Sequence, residues 1–209
     1  MIKLYDYLPS GNCYKLRLLM SILGVEYQTI GIDFHPTREH KSAAFLRINP
    51  LGQIPVLEDA DLRLRDAQAI LVYLAAKYDP LRQWYPDDPV IMGRVSMWLA
   101  FADQITGTVS AARLHDSFLH DYDIDKCRAG AHRLFKVLDE HLWFAERDGQ
   151  DWIATRSHPT IADLANFPYI MLSDEGGVSR EDYPAVRRWT DRVKRIPGFI
   201  TMPGIFPST

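Results

Sequence analysis

A short polar turn near the N-terminus has the residue types that could hold a thiol as its thiolate. Ser10-Gly11-Asn12-Cys13 follows an apolar, strand-like run and precedes a run with helical periodicity. The backbone N–H groups at a helix N-terminus carry a partial positive charge, which stabilises an anion and lowers the pKa of a nearby thiol. Ser10 adds a hydroxyl donor and Asn12 an amide. Either residue could instead serve only as the N-cap of the helix, a frequent role for both.

Cys13 offers a second chemistry at the same turn. A cysteine in the first turn of a helix can itself become a nucleophile of low pKa. Free cysteine is more often a small buried apolar residue. Because this position lies inside the helix, we expect the side chain of Cys13 to face the core rather than a substrate.

The second candidate site is a proline-containing stretch, Asn49-Pro50-Leu51-Gly52-Gln53-Ile54-Pro55-Val56-Leu57. X-Pro bonds adopt the cis form at low cost, and proline cannot donate to a strand ladder. A cis Ile54–Pro55 bond would turn the neighbouring backbone groups outward, where they can pair with a peptide ligand as an extra strand. The alternative is a trans proline at the start of an edge strand.

The third candidate site follows a strand pattern and opens a helix, at Arg65-Asp66-Ala67-Gln68. The Asp66 carboxylate and the free N–H groups beside it could hold the ammonium and the carboxylate of an amino acid together. The alternative is that Asp66 is simply the N-cap of this helix.

These three sites are positioned by strand and helix patterns that alternate over the first eighty residues. Strand patterns cover 2–7, 27–32, 54–58 and 62–64, and helical patterns cover 13–23, 38–47 and 66–78. The order is β-α-β-α-β-β-α, in which the strands joined by the first helix must be parallel. A linker rich in proline and aspartate follows, and helical periodicity then covers 90–119, 125–147, 161–173 and 184–195. We therefore predict an α/β domain followed by an all-helical domain.

Composition narrows the classes of protein that fit. The 209 residues are 47% hydrophobic and 24% charged, which allows a substantial core. The net charge of -3 gives no general attraction to nucleic acid or to an anionic membrane. No run approaches the ~20 apolar residues that cross a bilayer. With two cysteines and no export signal at the start, we expect a cytoplasmic protein.

Taken in this order, the three sites resemble the N-terminal domain of cytosolic glutathione transferases, and the whole chain fits that family's arrangement. The most specific element is the Asn-Pro-x-Gly-x-Ile-Pro-x-Leu stretch. The resemblance implies that Pro55 is cis and that the Ile54 backbone pairs with the cysteinyl residue of glutathione, with Gln53 beside it. It also implies a thioredoxin-like glutathione-binding domain over 1–79, a linker over 80–90 and an all-helical domain over 91–209.

Ser10-x-x-Cys13 is similar to the serine-dependent classes, which are the delta and theta types and many bacterial members. The resemblance implies that Ser10 donates to the glutathione sulfur, with Asn12 as a further glutathione contact. It also implies that His40 binds the glycine carboxylate, and a solvated loop histidine is the alternative. Thr160-Ile161-Ala162-Asp163 matches the family's capping box, in which a buried Asp163 serves folding.

One departure concerns the γ-glutamyl end of glutathione, where the family usually has Glu-Ser or Asp-Ser and this chain has Asp66-Ala67. Loss of one hydrogen bond to a charged group costs on the order of 1.5–3 kcal/mol. Glutathione would then bind more weakly than is typical, unless another group compensates. Gln68 is next in the chain and could do so.

The implied reaction joins the glutathione thiolate to a hydrophobic electrophile, as in detoxification, with glutathione as co-substrate and no metal or organic cofactor. Candidates for the electrophile pocket between the domains are Trp98, Phe101, Thr106 and Arg113. The resemblance also implies a homodimer, in which Asp103 reaches the glutathione ammonium of the neighbouring subunit. Three alternatives are a non-catalytic binder of glutathione or a hydrophobic ligand, a glutathione-dependent thiol reductase using Cys13, and a scaffold that has lost ligand binding.

Overall fold

The N-terminal part of the computed structural model, which describes residues 1–207, is built on a mixed sheet of four strands. The strands are β1 (Ile2–Asp6), β2 (Tyr27–Gly31), β3 (Val56–Asp59) and β4 (Leu62–Arg65). They lie in the order β2-β1-β3-β4, and β1 and β2 are parallel while the other two pairs are antiparallel. The parallel pairing predicted for the strands that the first helix joins is confirmed.

Helix α1 (Gly11–Leu23) carries the candidate turn at its N-terminus. Ser10 is its N-cap, and Gly24 ends it in the left-handed conformation with φ 64°, which glycine adopts without steric cost. Leu16 and Leu19 are fully buried in the same core cluster as Leu4 of β1. The helix packs against α3 (Ala67–Tyr78), so its apolar stripe is covered as the periodicity predicts.

A smaller core cluster lies on the other face of the sheet. Successive side chains of a strand point to opposite faces, so Leu57 joins the main core while Val56 packs with Ile32 and Phe45. Phe45 belongs to the short helix α2 (Ala43–Leu46), which follows a 3₁₀ turn at Glu39–Lys41. The short helix predicted over 38–47 is therefore two separate turns.

The C-terminal part is helical. Its helices are α4 (Pro89–Ile105), α5 (Ala111–Phe118), α6 (Ile124–Arg147), α7 (Ile161–Met171) and α8 (Pro184–Val193). Between α4 and α5, residues Thr106–Ser110 form a π-helical turn, so the continuous helix predicted over 90–119 contains a widened segment. Such turns inside helices are often found at functional sites.

The capping box of α7 is the best-connected polar feature of the core. Asp163 is fully buried, and its Oδ1 accepts from Ile153 N at 3.1 Å and from Trp189 Nε1 at 2.9 Å. Its Oδ2 accepts from Thr160 N at 2.8 Å and from the Thr160 hydroxyl at 3.4 Å. Burial raises the pKa of Asp163, and these donors act in the opposite direction. The predicted capping box with a buried aspartate is confirmed.

The element order confirms the predicted fold class, a thioredoxin-like α/β domain followed by an all-helical domain. None of the helices within residues 1–207 combines the length and the apolarity that a membrane crossing requires.

We expect Asp163→Ala to destabilise the protein strongly, because the N–H donors of Ile153, Thr160 and Trp189 would lose their acceptor inside the core. Each unsatisfied buried donor costs about 1–3 kcal/mol, so the free energy of unfolding should fall by at least about 3 kcal/mol in guanidinium denaturation. Asp121→Ala removes an exposed carboxylate before α6 and should cost less than about 0.5 kcal/mol. Equal losses in the two variants would contradict the role given to Asp163.

Candidate functional site

One cleft of about 590 Å³ is lined by residues of both the α/β part and the helical part. It brings together eleven of the fourteen site residues proposed from the sequence: Ser10, Asn12, His40, Gln53, Ile54, Pro55, Asp66, Ala67, Asp103, Thr106 and Arg113. The other three, Gln68, Trp98 and Phe101, do not line it. The three sequence motifs therefore converge on one cavity.

Ser10 lies where the chain passes from β1 into α1, and it lines the cleft. Its Oγ accepts a hydrogen bond from Cys13 N at 3.3 Å, so the N-cap role considered from the sequence is present. Capping uses a lone pair of the hydroxyl oxygen and leaves the O–H free to donate. The same hydroxyl can therefore cap α1 and donate to an anion in the cleft.

Cys13 is fully buried and is not part of the cleft lining. Burial, and then the charge of Asp6, raises the pKa of its thiol to about 12. A thiol of that pKa is almost entirely protonated at neutral pH and is a poor nucleophile. The expectation that Cys13 faces the core is confirmed.

Asn12, in the first turn of α1, is held in place by a residue of the helical part. Asn12 N donates to the Tyr169 hydroxyl of α7 at 3.3 Å. The Tyr169 ring lies against Gly11, where an added Cβ would come within 2.7 Å of a ring carbon. Asn12 Oδ1 is buried and has no hydrogen-bond partner within residues 1–207, so it is an acceptor available at the cleft. Sequence reasoning missed Tyr169 because no local pattern connects positions so far apart.

The proline stretch forms one wall of the cleft. The Ile54–Pro55 peptide bond is cis, as predicted, and both residues line the cavity with Gln53. Asn49 Nδ2 donates to Gln53 O at 2.7 Å, which fixes the path of this loop. Gly52 has φ 57°, and a Cβ there would lie 2.8 Å from His40 O, so both conformation and space require glycine.

His40 is buried rather than a solvated loop residue. Its ring stacks on Phe34 with 4.1 Å between the ring centroids. Burial, and then the positive charges of Lys41 and Arg38, lower the pKa of His40 to about 4, so the imidazole is neutral at pH 7. Its Nδ1 has no hydrogen-bond partner within the described residues. Arg38 and Lys41 also line the cleft, so this end carries positive charge.

The start of α3 forms an acidic end of the cleft. Asp66 has φ 94°, a conformation that costs a residue with a Cβ about 1–3 kcal/mol. Asp66 Oδ1 accepts from Ala69 N at 2.8 Å, so the N-cap role is present here too. Burial, and then the charge of Asp66, raises the pKa of Asp103, which lines the cleft beside it. Two carboxylates thus share this end.

One expectation about this end needs correction. Gln68 does not line the cleft; it is buried, and its Nε2 donates to the Asp103 carboxylate, so it contacts the site through another residue. Asp103 itself lines the cleft of its own chain. Its predicted contact with the glutathione of a neighbouring subunit stays a prediction.

Lys15 of α1 is a buried cation that sequence reasoning missed. Its Nζ lies 5.5 Å from the centroid of the Tyr169 ring and has no hydrogen-bond partner within residues 1–207. Burial lowers the pKa of Lys15 to about 8, while the charges of Asp103 and Asp66 act in the opposite direction. The lysine therefore supplies positive charge behind the acidic end.

Two of the four residues predicted for the electrophile pocket do not line the cleft. Trp98 and Phe101 are buried in the core, where their rings meet edge to face at 4.9 Å between centroids. The helical period identified the apolar face of α4 but not the neighbours that cover it. Thr106 of the π-helical turn and Arg113 of α5 do line the cleft. The aromatic lining comes instead from residues that sequence reasoning missed: Tyr7, Phe34, Phe118, His120, Tyr122 and Tyr169.

Two family models match this chain. Residues 1–76 match the glutathione S-transferase N-terminal domain, and residues 101–197 match the glutathione S-transferase C-terminal domain. The chain belongs to the glutathione S-transferase family. Glutathione S-transferase verG of Clonostachys rogersoniana is 25% identical over 90% of this chain and 80% of its own length.

Solved structures agree with this membership. A crystal structure of a possible glutathione S-transferase from Rhodopseudomonas palustris superposes with a TM-score of 0.85 at 29% identity, covering 96% of this chain and 97% of the other. Ure2p in complex with glutathione superposes with a TM-score of 0.79 at 26% identity, covering 94% and 91%. Within residues 1–207 of this glutathione S-transferase family member, no group of three His, Cys, Asp or Glu side chains could hold a metal ion.

We expect Cys13 of the native protein to resist iodoacetamide at pH 8, because a thiol with a pKa of about 12 is ionised in roughly one molecule in ten thousand. Timed alkylation followed by peptide mass spectrometry measures the labelling. In guanidinium the same cysteine should react fully, which controls for reagent and detection. Rapid native labelling of Cys13 would show that it is exposed and would reopen the thiol-reductase alternative.

Proposed function

We propose that this protein is a serine-type glutathione transferase that joins the glutathione thiolate to a hydrophobic electrophile. The observation that carries the proposal is one cleft that contains the Ser10 hydroxyl, the carboxylates of Asp66 and Asp103, and the cations Arg38 and Lys41. Glutathione has the complementary groups: a thiol, an ammonium and two carboxylates.

The acidic end suits the γ-glutamyl group. The charge of Asp66 disfavours the ionised form of Asp103 and so raises its pKa, and a ligand ammonium beside them would relieve that repulsion. The free N–H groups at the start of α3, beginning at Ala67, favour an anion and can receive the α-carboxylate. The ammonium and the α-carboxylate of the γ-glutamyl residue would then both have partners at this end of the cleft.

The opposite end suits the glycine carboxylate. Arg38 and Lys41 supply positive charge, and the neutral His40 ring can donate from one nitrogen. Between the two ends, the backbone at Ile54 and the neighbouring Gln53 are available to the cysteinyl residue. We place the glutathione sulfur beside Ser10 on this basis.

Ionisation of the thiol is the step that the protein must assist. Each unit by which its pKa falls requires about 1.36 kcal/mol of preferential thiolate stabilisation. The Ser10 hydroxyl and the N-terminus of α1 together can lower the pKa by about one to two units. The thiolate then forms a carbon–sulfur bond with the electrophile. Glutathione is the co-substrate, and the mechanism uses no further cofactor.

A second candidate function is a non-catalytic protein that binds glutathione or a hydrophobic ligand. Ala67 favours it, because this residue offers the γ-glutamyl carboxylate only a backbone N–H. The thiol-reductase alternative has less support, since Cys13 is buried and its pKa is raised.

The proposal includes the domain boundaries, the assembly and the cellular compartment of the protein. We take the thioredoxin-like domain as 1–79 and the linker as 80–90, since α3 ends at Tyr78 and α4 begins at Pro89. The helical domain is expected over 91–209, of which 208–209 lie outside the described residues. A homodimer is the expected assembly. The cytoplasm is the expected compartment.

We expect Ser10→Ala to lower kcat by about ten- to a hundredfold at pH 6.5 with less than about threefold change in glutathione affinity, because the lost donor stabilises the thiolate. The pH profile of kcat should move upward by one to two units, while calorimetry reports the affinity.

Ser21→Ala is the matched control, since it removes a hydroxyl of the same helix that donates to Gly198 O. Ser10→Thr keeps a hydroxyl and a cap and should retain much of the activity. Equal losses of kcat and affinity in Ser10→Ala, with an unmoved pH profile, would rule out an activating role.

We expect Ala67→Ser to tighten glutathione binding by up to about tenfold, because its hydroxyl adds one hydrogen bond to a charged carboxylate. Isothermal titration of glutathione measures the change. Ala69→Ser adds the same hydroxyl at an exposed position of α3 and should leave the affinity unchanged. Unchanged or weaker binding in Ala67→Ser would place the γ-glutamyl group elsewhere.

A further inference from the structure

A wall of nearly parallel rings lies along one side of the cleft. The Phe34 and His120 rings are inclined by only 10° with centroids 6.2 Å apart, and the His120 and Tyr122 rings by 12° with centroids 6.3 Å apart. The centroid of the Phe34 ring also lies 5.6 Å from the centroid of the Tyr7 ring. Aromatic faces arranged in this way favour offset stacking with a further flat ring. The wall combines residues from both parts of the chain.

Arg113 lies in the same half of the cleft and is held in a fixed position. Its Nη1 donates to Pro9 O at 2.9 Å, and its Nε donates to Glu175 Oε2 at 2.5 Å. An added Cβ at Gly176 would lie 2.6 Å from Arg113 N, so the segment that carries Glu175 packs closely on α5. Nη2 makes no hydrogen bond within residues 1–207. This guanidinium is preorganised and keeps donors for a ligand.

The charges of the lining residues are unevenly distributed. Among the described residues that line the cleft, the carboxylates are Asp66 and Asp103, and both belong to the acidic end. Glu175 neutralises part of the charge of Arg113, but its side chain is 34% exposed and is not part of the lining. The aromatic half therefore offers Arg113, and Arg38 near His120, without a lining carboxylate.

We propose that the second substrate is a flat aromatic electrophile that carries a carboxylate or sulfonate, with its ring against Phe34 and His120 and its anionic group on Arg113. This inference rests on the proposed transferase function and adds a substrate class to it. For an aryl chloride of this class, the thiolate sulfur supplies the electron pair of the new carbon–sulfur bond. Chloride leaves with the electron pair of the carbon–chlorine bond.

Two unreactive ligands that share a dinitrophenyl ring and differ in one carboxylate test the inference by calorimetry on the protein saturated with glutathione. They are dinitrobenzoate and neutral dinitrobenzene, compared at one ionic strength. The wild type should bind the benzoate at least about tenfold more tightly, since a hydrogen bond between charged groups is stronger than one between neutral groups. Arg113→Met should remove that preference, and Arg113→Lys should keep part of it. Arg94→Met, which removes an exposed cation outside this cleft, should leave it unchanged.

Equal affinity for the two ligands in the wild type, or an unchanged ratio in Arg113→Met and Arg113→Lys, would overturn the inference. If Arg113→Met weakened binding of dinitrobenzoate and of dinitrobenzene equally, the inference would also be overturned. The role of Arg113 would then be to hold the turn at Pro9. Retained binding of dinitrobenzene shows that a variant is folded. Turnover of activated aryl chlorides is measured separately. Absence of turnover with intact anion preference contradicts the transferase function and leaves the binding inference standing.

Discussion

The site depends on the fixed position of one turn, Pro9 to Asn12, which is held at two points by the helical part. Arg113 of α5 donates to Pro9 O, and Tyr169 of α7 accepts from Asn12 N while its ring lies against Gly11. A hydroxyl assists ionisation of a thiol only when it stays within donor distance of the sulfur. The helical domain therefore fixes the geometry of the turn that we propose holds the thiolate, and it also forms a wall of the cleft.

The features that depend on local sequence were predictable. The period of two in β1, the helical period of α1 and its Ser10 cap each involve residues that are neighbours in the chain. The cis Ile54–Pro55 bond, in contrast, was expected from the family resemblance, since the local sequence also allowed a trans bond. The motifs then placed most of the site, because the ends of β1 and β4 and the start of β3, which runs antiparallel to both, lie at one edge of the sheet.

Contacts between distant residues left no local signal. Arg113 and Pro9 are 104 residues apart, and Asn12 and Tyr169 are 157 residues apart. Trp98 and Phe101 show the same difficulty, since periodicity predicts that a face is buried without showing what covers it. The π-helical turn Thr106–Ser110 adds another cause. One extra residue in a turn rotates all later side chains by about 100°, so the face on which Arg113 lies does not follow from the pattern of α4.

Burial has moved three groups around the cleft toward their neutral forms. It lowers the pKa of Lys15 and of His40 and raises that of Asp103. A ligand ammonium beside Asp103 would favour the ionised carboxylate, and a ligand carboxylate beside His40 would favour the imidazolium. A ligand with both charges therefore moves both pKa values back toward their ordinary range, so protonation and binding are thermodynamically linked. Charge complementarity of this kind selects a zwitterionic peptide over an apolar molecule of equal size.

The aromatic half differs because Arg113 already has a carboxylate partner in Glu175. A ligand there would share the guanidinium with Glu175 through Nη2, which makes no hydrogen bond within residues 1–207, and an anionic group accepts a stronger hydrogen bond from it than a neutral group does.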